Sequence, residues 1–223
     1  NSFPGGFYPY QATYTGGAYQ GLNTIIASYP GNPSLVWETT YTLNLGMDFE
    51  VLNRRIYGDF NWYDRRTKDL FVNKALSATA GFGNGAGLDI NAGELQNTGV
   101  ELTINGDIIR KKDLVWTVFG NVGYNKNKVV SLGGESSFEV GTELVTVGLP
   151  LGSHYEVKWA GVDAATGQPL YYDINGNVTN VYNAADAVQD FGTWEAPWRG
   201  GFGTNLTYKG FDLNVLFTWQ QGA

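Results

Sequence analysis

Few residues in this chain could do chemistry. His154 is the single histidine, and cysteine is absent. A Ser–His–Asp arrangement would have to be built on His154, and no Gly-x-Ser-x-Gly elbow is present to raise a nucleophile. Glu38, Asp48, Asp59, Glu101, Asp107 and Asp212 could be imagined as acid/base pairs, but each falls on the polar side of an alternating segment. A hydrated wall accounts for them more simply, so no catalytic residue is assigned and no enzyme is expected. "DINGN", residues 173–177, resembles the start of a calcium loop through Asp173, Asn175 and Asn177. Ala184 stands where that loop needs its last acid. Asn-Gly after an aromatic strand is also the strongest short hairpin signal, so a turn is the leading reading and calcium the weak alternative. "GFGNGAG", residues 81–87, has no strand–helix context and no following Lys-Ser/Thr, so it reads as a loop tip and not a phosphate cradle. No cofactor is expected. The better binding candidates are loop aromatics: Tyr155, Trp159, Tyr171, Tyr172 and Trp194. Flat rings stack on sugar faces or pack against a partner protein, and they also pack loops against each other.

Composition narrows the setting. The 223 residues carry a net charge of −7, which argues against a nucleic-acid partner. No apolar run reaches the length of a membrane helix. The N-terminal "NSFPGGFYPYQATYTGG" shows neither the basic nor the apolar region of a signal peptide. The chain begins without Met and ends at "LFTWQQGA", close to a strand pattern, and reads as a piece of a longer protein.

The elements that must position these residues are long strands. In "WETTYTLNLGMDFE" the odd positions run Trp37, Thr39, Tyr41, Leu43, Leu45, Met47, Phe49, and the residues between are polar or Gly. Period-2 alternation is the half-buried strand signal. It recurs in five more segments, and the spacing predicts antiparallel hairpins over 36–50/54–69, 98–109/114–129 and 197–208/211–220. Tight links join the strands of each pair. Gly- and Asn-rich stretches of about 71–97 and 131–197 read as long loops, and the first 35 residues read as another.

A soluble sandwich and a transmembrane barrel both tolerate alternation, and aromatic placement favours the barrel. Trp37, Trp62, Tyr124, Trp198 and Trp219 gather on the apolar face at the long-loop end, aliphatics fill the middle, and Phe49, Trp116, Tyr208 and Phe211 mark the tight-turn end. Trp and Tyr suit the headgroup zone, whereas a sandwich core has no reason to sort them. A strand from Trp37 to Phe49 tilted by about 40° rises roughly 30 Å, enough to span an outer membrane with its girdles. The expected fold is therefore all-β: an antiparallel transmembrane barrel segment whose apolar face meets the lipid bilayer and whose polar face lines a wet lumen. Six strands are fewer than a barrel of this class needs, so the wall continues elsewhere.

Five stretches carry a family resemblance: "GNPSLVWETTYTLNLGMDF", "RIYGDFNWYDRRTKDLF", "NAGELQNTGVELTING", "GLPLGSHYEVKWAGVDAATGQPLYYDINGN" and "PWRGGFGTNLTYKGFDLNVLFTWQQG". In this order they resemble the barrel of SusC/RagA-type, TonB-linked outer-membrane transporters of Bacteroidetes-like bacteria. His154 stands where the family pattern suggests an aromatic residue. The resemblance implies a 22-stranded barrel with an N-terminal plug unlocked by TonB, and a SusD-like lipoprotein over the extracellular mouth. It also implies uptake of oligosaccharides or oligopeptides. Residues 1–223 are then expected to be barrel only, without plug, signal peptide or terminal strand. A siderophore or vitamin receptor of the same membrane class, and a surface adhesin or lectin-like β-protein, stand as alternatives.

Overall fold

The computed structural model describes residues 8–82 and 87–223. The expected tip at 81–87 lies mostly outside them, as does the start of the N-terminal stretch read for a leader. The strands run in chain order as β1 (Thr13–Tyr19), β2 (Leu22–Tyr29), β3 (Thr39–Val51), β4 (Ile56–Ala75), β5 (Gly87–Lys111) and β6 (Leu114–Leu132). An excursion follows with β7 (Ser137–Val140), β8 (Glu143–Thr146), β9 (Glu156–Val157), β10 (Trp159–Val162), β11 (Pro169–Tyr172), β12 (Val178–Thr179) and β13 (Ala187–Val188). The chain then forms β14 (Trp198–Tyr208) and β15 (Phe211–Gln221).

The long strands make one six-stranded sheet in the order β15-β14-β6-β5-β4-β3. Its edges, β3 and β15, are not paired with each other, so the sheet is open. The three expected hairpins are present. Lys209 (φ 46°) and Gly210 (φ 89°) turn β14 into β15, the mirror-type turn whose twist suits a hairpin. Leu52, Asn53 and Arg54 are all left-handed between β3 and β4, and the Arg55 amide closes that turn on the Val51 carbonyl at 3.2 Å.

The strands are longer than their apolar pattern. β4 runs to residue 75 and β5 starts at 87, so most of the loop expected at 71–97 is strand. A ladder needs only paired backbone, and polar side chains sustain it once the apolar alternation has ended. The first 35 residues are likewise not simply loop, because β1 and β2 form a hairpin closed by Gln20 and Gly21. Trp37 lies ahead of β3 and is 86% exposed. There the Asn91 side chain stands in for a neighbouring strand: its Oδ1 accepts from the Val36 amide at 2.8 Å and its Nδ2 donates to the Val36 carbonyl at 2.9 Å.

The chain divides into two compact units. The first holds residues 1–41, 66–95 and 130–135 and is organised by a buried polar group. Asp89 is 2% exposed. It accepts from the Tyr29 hydroxyl at 3.0 Å and the Asn73 amide at 2.7 Å, and Asn32 donates to its backbone carbonyl. Burial first, then the bond to Asp89, push the Tyr29 phenol above its ordinary pKa, so it stays protonated and keeps donating. The second unit holds residues 42–65, 96–129 and 136–223. Its sheet has no hydrophobic core under it. Val129, Val145, Ala187 and Ala196 are buried beside the excursion, while the apolar sheet face stays open.

Candidate functional site

Register decides what each face of the sheet can do. Trp198, Phe202, Leu206 and Tyr208 of β14 stand opposite Tyr124, Gly120, Trp116 and Leu114 of β6. On the other side of β14, Phe202, Leu206 and Tyr208 stand opposite Phe217, Leu213 and Phe211 of β15. Directly opposed residues share a face, so the apolar sets of three strands merge into one surface. Leu43, Leu45, Met47, Phe202, Leu213 and Phe217 are each more than half exposed. An apolar face that large marks an interaction surface.

The polar sets merge on the opposite, concave face. They line a cavity of about 1170 Å³ with residues from all six strands. Thr42 and Asn44 come from β3, Tyr63 and Arg65 from β4, Asn97 and Glu101 from β5. Asn121 and Asn125 come from β6, Arg199 from β14, Gln220 from β15, and Glu195 from the approach to β14. Asn125 accepts from the Tyr63 hydroxyl at 3.1 Å and donates to Asn97 at 3.4 Å, and Arg199 pairs with Glu195 at 3.0 Å. Phe119, which breaks the alternation in the sequence, also lies on this face. A Cβ on Gly203 would sit 2.6 Å from its ring, so the ring fills the space above that glycine. The acidic residues that could have formed catalytic pairs are spread through wall contacts instead. Asp107 accepts from Thr117 and pairs with Arg110, Asp212 accepts from Thr207, and Asp59 accepts from Asn61.

The aromatic band is placed as follows. Tyr124 and Trp198 touch across the ladder at 4.6 Å between ring centroids, and the Trp219 ring covers Gly200. Trp62 lies in β4, and Trp37 precedes its strand.

The excursion folds into small sheets. Trp159 pairs with Tyr171 between β10 and β11, Tyr172 pairs with Val178 between β11 and β12, and Tyr171 meets Tyr182 edge-on at 5.3 Å. Trp159 is 65% and Trp194 60% exposed, whereas Tyr155 is half-buried. Trp194 covers Gly152, whose φ of 80° and lack of a Cβ both serve that contact. His154 is tied through its backbone to Gly192 and bridges Glu143.

Asp173 closes the β11–β12 turn. One carboxylate oxygen accepts from the Asn175 and Asn177 amides at 2.9 and 2.7 Å, and the other accepts from the Asn177 side chain at 3.0 Å. Those bonds, the Asn177 side chain first, hold its pKa below the ordinary carboxylate value. Asp163 does the same at the β10–β11 turn through the Thr166 and Ala165 amides. Among the described residues, no three His, Cys, Asp or Glu gather to hold a metal ion.

A family model described as TonB dependent receptor-like, beta-barrel, matches residues 2–222. The chain belongs to that family. It is of the SusC/RagA type. TonB-dependent receptor P3 of Formosa agariphila is 29% identical over 92% of the chain and 22% of its own length. TonB-dependent receptor SusC of Bacteroides thetaiotaomicron is 38% identical over 48% of the chain and 10% of its own length. A solved structure of the RagAB peptide transporter superposes with a TM-score of 0.84 at 28% identity, over 97% of this chain and 25% of that one. The chain thus matches between a tenth and a quarter of the length of these relatives. Membership in this receptor family indicates the outer membrane of a Gram-negative bacterium.

Within this TonB-dependent receptor barrel the sequence pointed to the loop aromatics and passed over the concave wall. Tyr63, Asn97, Asn121 and Asn125 looked like ordinary members of a polar face. The available signal was parity: each sits on its strand's polar set, and the polar sets of neighbouring strands have to meet.

Proposed function

We propose that the chain supplies six wall strands and outer loops of a TonB-dependent outer-membrane importer. The importer takes up oligosaccharides or oligopeptides together with a SusD-like lipoprotein, and TonB acts through a plug domain. The observation that carries this reading is the division of one sheet into two surfaces. An exposed apolar face suits lipid, and a concave face of amides, hydroxyls and paired charges suits water and hydrophilic cargo. Similarity to a transporter of peptides brings oligopeptides into the reading, and similarity to SusC supports the same architecture. Tyr155, Trp159, Tyr171, Tyr172 and Trp194 are the residues proposed to meet the lipoprotein or the cargo. The wall itself does no chemistry. It excludes lipid from the cargo path and satisfies polar groups that the bilayer would leave unpaired.

The test is uptake by cells carrying the intact receptor, with and without TonB and with and without the lipoprotein. Uptake of a labelled oligosaccharide or oligopeptide should require both. Uptake that persists without TonB refutes the importer.

A further inference from the structure

Tyr63 starts on β4, yet its hydroxyl donates to Asn125 on β6 at 3.1 Å, with β5 between them. Adjacent strands are about 4.8 Å apart, so the contact bridges roughly 10 Å of wall. A tyrosine can make that reach only by lying along the sheet. It crosses β5 at Gly99, where a Cβ would stand 2.4 Å from both the ring Cζ and the hydroxyl oxygen. The ring therefore occupies the place of the side chain Gly99 lacks. One ring face rests on the β5 backbone. The other looks into the 1170 Å³ cavity, which Tyr63 helps to line, and Tyr63 is only half-buried.

We infer that Tyr63 is a stacking platform for a pyranose ring of the cargo. This deepens the importer reading and rests on it. A flat aromatic ring, clamped at its hydroxyl by Asn125 and at its underside by Gly99, is already ordered before a ligand arrives, which lowers the entropic cost of stacking. Beside the apolar Leu102, Val122, Tyr124 and Trp219, its neighbours in the cavity include planar hydrogen-bonding groups: the Asn97 and Asn121 amides, the Glu101 carboxylate and the Arg199 guanidinium. Such groups reach two adjacent hydroxyls at once. Phe119, another ring on this face, is not among the cavity-lining residues.

The experiment uses the intact receptor purified with its lipoprotein, applied to an array of pyranose oligosaccharides and to an array of octapeptides. The wild type should bind oligosaccharides. Tyr63→Leu should weaken binding by about tenfold or more, the equivalent of about 1.4 kcal/mol. Gly99→Ala keeps the tyrosine, but its Cβ would meet the ring and, at 2.5 Å, the Tyr124 backbone carbonyl of β6, so it displaces the ring together with the local ladder and should weaken binding similarly. Tyr63→Phe keeps the platform and loses one hydrogen bond, so its affinity should stay within about threefold. Heat-modifiable gel mobility confirms that each variant barrel is folded. Oligosaccharide binding unchanged in Tyr63→Leu, binding confined to octapeptides, or binding to neither array overturns the platform. The importer reading is judged separately by the TonB dependence of uptake, so either can fail alone.

Discussion

Phe202 and Phe217 face each other across the β14–β15 ladder, ring centroids 5.3 Å apart and planes 23° apart, and both are more than half exposed. Three residues away Asn214 donates to Asn205, its direct ladder partner, on the opposite face. The two pairs belong to one hairpin and require different solvents. Leu213→Arg, on the Phe217 face, should cost about 2–4 kcal/mol in a bilayer, while Asn214→Leu should be mild. Urea unfolding of the intact protein in liposomes measures both. Equal losses would show that the faces meet the same medium.

Gly203 is a packing constraint inside the wall. A Cβ there would lie 2.4 Å from the Val215 carbonyl oxygen and 2.6 Å from the Phe119 ring. Gly203→Ala should destabilise the barrel by about 1–3 kcal/mol. Adding Phe119→Leu should restore part of that, because it removes the ring contact and leaves the carbonyl contact. Unfolding of the single and double variants by denaturant gives the two values. A double variant no more stable than the single one would place the whole cost at the carbonyl.

Asp173 makes the β11–β12 turn sensitive to acid. Its folded pKa lies below the ordinary value of 3.8, so the carboxylate stabilises the turn above that value. This contribution fades as pH falls from there through the depressed folded value. Hydrogen exchange at the Asn175 and Asn177 amides, referred to the intrinsic rate at each pH, should show protection lost over that window. Asp173→Asn should lower protection at neutral pH and flatten the profile. A wild-type profile as flat as the variant's would remove the carboxylate as the cause.

Trp159 is 65% exposed on β10, beside Tyr171, in the excursion between β6 and β14. If it anchors the lipoprotein at the centre of an interface, Trp159→Ala should cost about 2 kcal/mol or more of association. Barrel folding should be unaffected, since the residue adds nothing to the sheet of long strands. Co-purification of the lipoprotein, alongside heat-modifiable mobility, checks both. Unchanged co-purification would take Trp159 off the partner surface.

The local pattern determined the hairpins, the two faces and the family. Alternation has a period of two residues, so Leu43 against Asn44 or Leu213 against Asn214 assigns a face without knowledge of any neighbour. Lys209-Gly210 likewise names its own turn. Local pattern stopped short where a strand is held by partners instead of by its own alternation. β4 and β5 continue past their apolar residues, Val36 is held by the side chain of Asn91, and residues 13–29 form a hairpin rooted by Tyr29 on Asp89. The site depended on tertiary structure for the same reason. Tyr63, Gly99 and Asn125 lie on three strands, and their meeting requires the register of all three, a missing Cβ on the middle one and a side chain long enough to cross it. Cross-strand register depends on distant pairing, and no window of sequence around any one of these residues contains it.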